Sequence, residues 1–340
     1  MFSLKFPKNQ WYVAARSAEV TDRLMSRWLL GEPVCLFRRR DGATVALTDH
    51  CIHRQMPLSM GIRRDDEIVC GYHGLVFNCD GNAVSAPFQD KIPPNCAVKS
   101  YRLVERLGLI WIWMGDPSAA DETLLPNIDW HNEGSWVTVG GTLHMNARAQ
   151  ILNENLLDLS HLTYLHPESI GTEKVAEMPI ETEIGVRVIR VTRQMDGIEV
   201  PEFFRLTMGL EGRIDRMQIA EFQAPGFHTT HVSAAPAGNT DPKQICRHKA
   251  VHCVTPERDK STHYFWLIVR DYHIDDEKVS ELWQNGAPKV FTQDIVACEA
   301  IEQVLSAYEP DVPPEISFKI DAGPLRARRI IEKMIAAETD

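Results

Sequence analysis

Two cysteines and two histidines in fixed order constrain this chain more than any other feature. Cys51-Ile52-His53-Arg54 is followed, after sixteen intervening residues, by Cys70-Gly71-Tyr72-His73-Gly74, a C-x-H-x16-C-x2-H pattern. Two thiolates can hold one iron while two neutral imidazoles hold a second, which raises the potential above that of an all-cysteine cluster. A Cys2His2 zinc site uses the same residue types, but fingers pair C-x2-C with H-x3-5-H, whereas here Cys and His alternate. The spacing therefore points to a [2Fe–2S] cluster on Cys51, His53, Cys70 and His73. Gly71 and Gly74 suit a loop whose backbone bends tightly beside the sulfides. The other six cysteines, Cys35, Cys79, Cys96, Cys246, Cys253 and Cys298, have no partner at ligand spacing and read as small apolar residues.

Around these loops the first third of the chain is short apolar or alternating runs broken by turn signals. They are Trp11–Ala14, Pro33–Phe37, Thr44–Leu47, Ile68–Cys70, Leu75–Asn78 and Leu109–Trp113, the pattern of a small antiparallel β domain. A Gly, Pro, Ser and Ala stretch running to Pro126 reads as a linker. This gives two domains, 1–116 and 127–340, in keeping with a length of 340 residues and 44% hydrophobic content. The second domain mixes strand-like runs (Val186–Thr192, His263–Val269) with helices near Ala149–His166 and Pro288–Tyr308, an α+β class. The formal charge of -11 argues against nucleic acid as a partner. With no apolar run of membrane length, and no apolar core in Met1–Lys8, the expected location is cytoplasmic, with no membrane partner.

The first predicted helix holds Asn155, Asp158, His161 and His166 within a leucine-rich stretch. At 100° per residue Asp158 shares a face with Ile151, Leu162 and Leu165, a costly place for an unpaired carboxylate. His161 and His166 fall about 140° apart on an ideal helix, so convergence on one metal requires a distorted last turn before Pro167. Mononuclear non-haem iron takes two histidines and one carboxylate. Asp294 is the candidate third ligand, on a predicted stripe with Val290, Phe291, Cys298, Ile301 and Leu305, while Glu299, Glu302 and Gln303 face elsewhere. Asp271, Asp275 and Asp276 compete with it from a polar, turn-like stretch.

Together these motifs, with Asn9–Ala15, Leu109–Pro117, Ile320-Asp321-Ala322-Gly323 and Arg328-Arg329, resemble the Rieske non-haem iron oxygenases, especially oxygenase subunits of vanillate- and dicamba-type aromatic O-demethylases. Ile52 and Gln55 depart from the Pro and Gly common at those places. The resemblance implies an N-terminal Rieske domain, a helix-grip catalytic domain with an antiparallel sheet, and a homotrimer. It implies mononuclear Fe(II) beside a small aromatic substrate and O2, and oxidative O- or N-demethylation releasing formaldehyde. An aromatic-ring dioxygenase of the same family is the alternative. Asn155 and Asp158 match N-x2-D-x2-H, in which Asp158 would bridge a neighbour's His73 to His161. NADH and flavin would act through a separate reductase or ferredoxin, since no G-x-G-x-x-G fingerprint is present. His252 and Trp283 resemble substrate-contacting positions, with His231 a further pocket candidate. Arg38-Arg39-Arg40, Arg54 and Arg63-Arg64 suggest a basic docking surface near the cluster loops.

Overall fold

A computed structural model of the chain describes residues 5–128 and 136–339; the start of the Met1–Lys8 segment lies outside the described residues. It divides into two compact units, one built from Lys8–Leu125 with Thr255–Asp259, the other from the remainder.

The first unit is all β apart from short 3-10 turns. Its strands are β1 (Trp11–Arg16), β2 (Met25–Leu29), β3 (Glu32–Arg38), β4 (Thr44–Thr48), β5 (Ile62–Arg64), β6 (Glu67–Val69), β7 (Val76–Phe77), β8 (Ala83–Ser85), β9 (Arg102–Arg106) and β10 (Leu109–Trp113). They form three small sheets, β1-β10-β9, β2-β3-β4 and β5-β6-β7-β8. Two hairpins turn on a Leu-Gly pair with both φ positive, Leu30-Gly31 (51° and 78°) and Leu107-Gly108 (54° and 67°). That handedness matches the twist of the flanking strands. The expected runs become strands, but Cys70 lies just past the end of β6, in the loop that follows. Cys51 and Cys70 edge a core that includes Phe37, Leu47, Ile68 and Phe77.

The second unit is an antiparallel sheet of seven strands gripped by one long helix. Its strands are β11 (Val137–Met145), β12 (Glu181–Ile184), β13 (Val188–Glu199), β14 (Arg213–Gln223), β15 (Phe227–Pro236), β16 (Cys246–Arg258) and β17 (Ser261–Arg270), in the order β11-β17-β16-β15-β14-β13-β12. The helices are α1 (Ala149–Leu157), α2 (Leu162–Leu165), α3 (Glu202–Met208), α4 (Glu277–Tyr308) and α5 (Ala322–Thr339). This is the helix-grip, α+β layout. α4 packs Trp283, Val290, Phe291 and Ile295 into one core with Tyr264, Trp266 and Ile268 of β17.

Three expectations about helices need correction. α4 starts at Glu277 rather than Pro288, because Asp276 caps it by accepting from Lys278 N and Val279 N. Burial of Val279, Trp283 and Ala287 then outweighs the backbone hydrogen bond that Pro288 removes. The stripe past Asp294 is also different, with Glu302 buried and Ile301 48% exposed. Arg148 explains this, since its guanidinium meets both Glu302 oxygens at 2.6 and 2.7 Å. Finally, 149–166 is not one helix. It breaks at Asp158, which is half-buried at the break and not on the apolar stripe.

No helix among the described residues is long and apolar enough to cross a membrane.

Candidate metal centres

The two cysteine loops are closed in the same way. Cys51 N donates to Met56 O (2.8 Å) and Gln55 N returns to Cys51 O (2.9 Å); Cys70 N donates to Leu75 O (2.8 Å) and Gly74 N returns to Cys70 O (3.0 Å). Gln55 and Gly74 occupy equivalent places and share the left-handed backbone, with φ of 58° and 74°. The departure at Gln55 thus sits where a residue without Cβ is least strained. Both thiols are buried, and burial together with Cys70 pushes the Cys51 thiol up. A pair of buried thiols is a costly place for thiolate charge unless a metal takes it up. His53 and His73 are exposed, their rings 4.5 Å apart, and Tyr72 stacks on His73 at 3.9 Å. Two sulfurs held inside and two imidazoles held together at the surface suit a cluster with one iron on each kind of donor.

The arginines near these loops make a weaker surface than their number suggests. Arg38 pairs with Glu105 (3.0 Å), Arg39 with Asp41 (3.0 Å), Arg40 with Asp65, and Arg63 with Asp66 (3.1 Å). The expected basic docking face is therefore mostly neutralised.

In the catalytic unit the helical stretch that carries the histidines breaks at Asp158. Its backbone turns extended (φ -92°, ψ 98°), its carboxylate accepts from Ser160 N at 2.7 Å, and a 3-10 turn, Leu159–His161, leads into α2. The stretch is thus distorted twice, before His161 and in the expected last turn, where α2 ends at Leu165 and His166 leaves helical backbone (φ -123°, ψ 38°) just ahead of Pro167. The two imidazoles meet at one carboxylate: His161 Nε2 and His166 Nε2 lie 3.3 and 3.1 Å from the same Asp294 oxygen. The ligand atoms of His161, His166 and Asp294 all fall within 4.8 Å of one another. Burial raises the Asp294 carboxyl, but the two histidines outweigh it and hold it at about 2. Asn155 Nδ2 donates to Asp294 Oδ1 at 3.3 Å. His166 Nδ1 donates to Gln293 Oε1 at 2.7 Å, which leaves Nε2 facing Asp294. The His161 Nδ1 is buried with no hydrogen-bond partner. Two imidazoles and one carboxylate on one point are the donor set of non-haem iron(II). The competing acids are occupied elsewhere, Asp271 by Arg247 (3.3 Å) and Asp276 by the α4 cap, while Asp275 is exposed.

This donor set opens onto a cavity of about 690 Å³, solvent at its mouth included, walled by residues such as Leu162, Ile268, Val290 and Phe291. His252 and Trp283 line it. His252 Nδ1 shares a hydrogen bond with Tyr264 Oη at 2.7 Å, and burial holds the imidazole neutral, at about 4. Trp283 Nε1 donates to Tyr272 Oη at 3.1 Å. His231 does not line the cavity. On β15 it alternates with Thr230 and Val232, which do, and it meets Thr229 Oγ1 at 2.9 Å. Gln293 and Arg216 belong to the site as well, without a motif to announce them. Gln293 is next to Asp294 in the chain, and Arg216 is in phase with Ile214, Ala220 and Phe222, a buried alternation that marked it as inward.

Comparisons with known proteins agree with these sites. Residues 10–102 match the Rieske [2Fe-2S] domain, and residues 145–337 match the Vanillate O-demethylase oxygenase C-terminal domain. The vanillate O-demethylase oxygenase subunit of Pseudomonas sp. (strain HR199 / DSM 7063) is 34% identical, over 98% of this chain and 96% of that protein. The oxygenase component of dicamba O-demethylase from Stenotrophomonas maltophilia is 32% identical, over 97% and 98%. The crystal structure of dicamba monooxygenase bound to 3,6 dichlorosalicylic acid superposes with a TM-score of 0.91 at 32% identity, over 98% of this chain and 99% of that one. The chain therefore belongs to the Rieske non-haem iron oxygenases of the vanillate and dicamba O-demethylase type, with a [2Fe–2S] cluster and a mononuclear iron as its cofactors.

Proposed function

We propose that this chain is the terminal oxygenase of a multicomponent, NADH-dependent system that removes an O- or N-methyl group from a small aromatic compound and releases formaldehyde. The observation that carries the reading is the meeting of His161, His166 and Asp294 at the wall of a mostly apolar cavity.

In this reading Cys51, His53, Cys70 and His73 hold the cluster, and His161, His166 and Asp294 hold the iron. When bound, the cluster supplies single electrons and the iron supplies activation of O2. Gln293 fixes the His166 tautomer so that Nε2 faces inward. Asn155 steadies the Asp294 carboxylate. The apolar walls exclude water and stack the aromatic ring, while neutral His252 can hydrogen-bond a substrate oxygen. Asp158 accepts from Ser160 N and lines the same surface depression as His161, where it would link His161 to His73 of the partner subunit in a homotrimer. Electrons would come from NADH through a separate flavin-containing reductase or a ferredoxin, in a cytoplasmic setting. Hydroxylation of the methyl carbon gives a hemiacetal or carbinolamine, which collapses to formaldehyde and the dealkylated ring.

Supplying reductase, NADH and O2 to the enzyme with methoxylated and N-methylated aromatic compounds tests this. Formaldehyde in step with oxygen consumed is the expected result; a cis-diol product without formaldehyde would contradict it.

A further inference from the structure

Arg216 is a buried cation that no carboxylate answers among the described residues. It is 1% exposed, and its side chain lines the catalytic cavity. Nη1 donates to Ile170 O and Nη2 to Gln218 Oε1, both at 2.8 Å, and the guanidinium stands 4.6 Å over the Phe204 ring. Nε has no partner. Burial, with Arg193 nearby, lowers its pKa to about 9, so it stays charged at neutral pH. Beside it is His248, buried, with Nδ1 unpartnered and its ring 4.7 Å from Trp283. Burial and the adjacent Arg216 keep that imidazole neutral, at about 3.

The only carboxylate among the cavity's described lining residues is Asp294, at the far end. Trp283 and Asp294 are about three turns apart on α4, roughly 16 Å at ~1.5 Å per residue. His248 and His252 are separated by roughly 13 Å along β16. The cavity thus has a ligand-bearing end and a cationic end, with apolar walls between. A charge held in such a place is strongly unfavourable unless an anion meets it. Guanidinium pairs with carboxylate or sulfonate through parallel hydrogen bonds, and here Nε is still without a partner.

We propose that Arg216, flanked by His248, is an anion subsite that takes a carboxylate or sulfonate carried by the substrate at the end of the cavity remote from His161, His166 and Asp294. The proposal rests on the demethylase reading for where reaction occurs. It makes Arg216 a specificity determinant: a ring lying between the two ends places its acid group and its reacting methyl on distant edges, so meta and para relationships fit and ortho does not.

Equilibrium dialysis of the iron-loaded protein measures this without turnover. The probes are 4-methoxybenzoate, 3-methoxybenzoate, 2-methoxybenzoate, 4-methylbenzenesulfonate and the neutral 4-methoxybenzamide. The wild type should bind the meta and para acids about 10- to 100-fold more tightly than the amide, as expected for hydrogen bonds to a charged group. Arg216→Gln should erase that preference while leaving amide binding within about threefold and the cluster spectrum unchanged, and Arg216→Lys should keep part of it. Equal weakening of acids and amide in Arg216→Gln would make Arg216 only a strut for Ile170. That result, equal wild-type binding of acid and amide, no acid binding, or tightest binding of the ortho acid each overturns the proposal. Should Arg216→Gln not fold, the wild-type preference and its decline in Arg216→Lys decide the matter. Acids that bind as expected but yield no formaldehyde would refute the demethylase reading and leave the subsite standing.

Discussion

In the Rieske unit each pair of ligand positions comes from one short loop, closed by the same two backbone hydrogen bonds around Cys51 and around Cys70. In the catalytic unit the donors come from elements 128 residues apart, and they meet where a helix broken at Asp158 and ended at His166 packs against α4. The first centre is made by local backbone geometry, the second by tertiary packing. Substitutions in the cluster loops should therefore act locally, while the second centre should be sensitive to whatever holds the break and α4 in place.

The largest effect that would sharpen this contrast is at Asp158. Asp158→Asn keeps an oxygen for the Ser160 cap but removes the charge. Turnover should fall by roughly 100-fold or more, with iron and sulfide content unchanged, because the lost function is electron arrival. Rapid mixing of reduced enzyme with substrate and O2 reads it directly; normal cluster oxidation would refute the bridging role, and lost iron would show that the charge maintains the break.

A medium effect is expected at Glu302, whose buried carboxylate ties α4 to the segment leading into α1 through Arg148. Glu302→Gln should cost about 2 kcal/mol, less than a fully buried pair because Arg148 is partly exposed. Burial raises this carboxyl, but Arg148 and Ser306 outweigh it and hold it at about 2. A depressed folded pKa means that the contribution is full above the ordinary carboxylate range and is lost as pH falls toward 2. Urea unfolding of wild type and variant at neutral and acid pH should therefore converge at low pH, and a gap that stays constant would contradict the pairing.

The smallest effect belongs to the other region. Gln55→Gly relieves a left-handed residue and should stabilise the first loop by about 0.5–1 kcal/mol, after the entropy cost of glycine. Thermal bleaching of the cluster absorbance checks it. A lower bleaching temperature would mean that the Gln55 side chain contributes more than its backbone costs.

The same contrast governs what could be read beforehand. C-x-H and C-x2-H spacing is local, so it stands in the sequence; so does the buried phase of Asp294 on α4. The break at Asp158 does not, because a polar residue inside a leucine-rich stretch fits an uninterrupted helix equally well until the cap on Ser160 N is seen. Pro288 misplaced the start of α4 because packing of Trp283 and Ala287 overrides its local penalty. Glu302 reads as facing away from the Asp294 stripe because its partner, Arg148, is far away in the chain. Strand alternation puts His231 on the other face from Thr230 and Val232 and turns Arg216 inward, but a histidine suggests a ligand by its chemistry alone while an arginine suggests solvent, so residue type points the wrong way at both places.

His161, His166 and Asp294 should form an iron site independent of the cluster. Iron and acid-labile sulfide measured per chain in wild type, Asp294→Ala and Cys70→Ala test it most directly. Asp294→Ala should lose one iron per chain and no sulfide, with the cluster spectrum intact, while Cys70→Ala should lose the sulfide and keep the mononuclear iron. Full iron content in Asp294→Ala, or loss of its sulfide along with the iron, would contradict it.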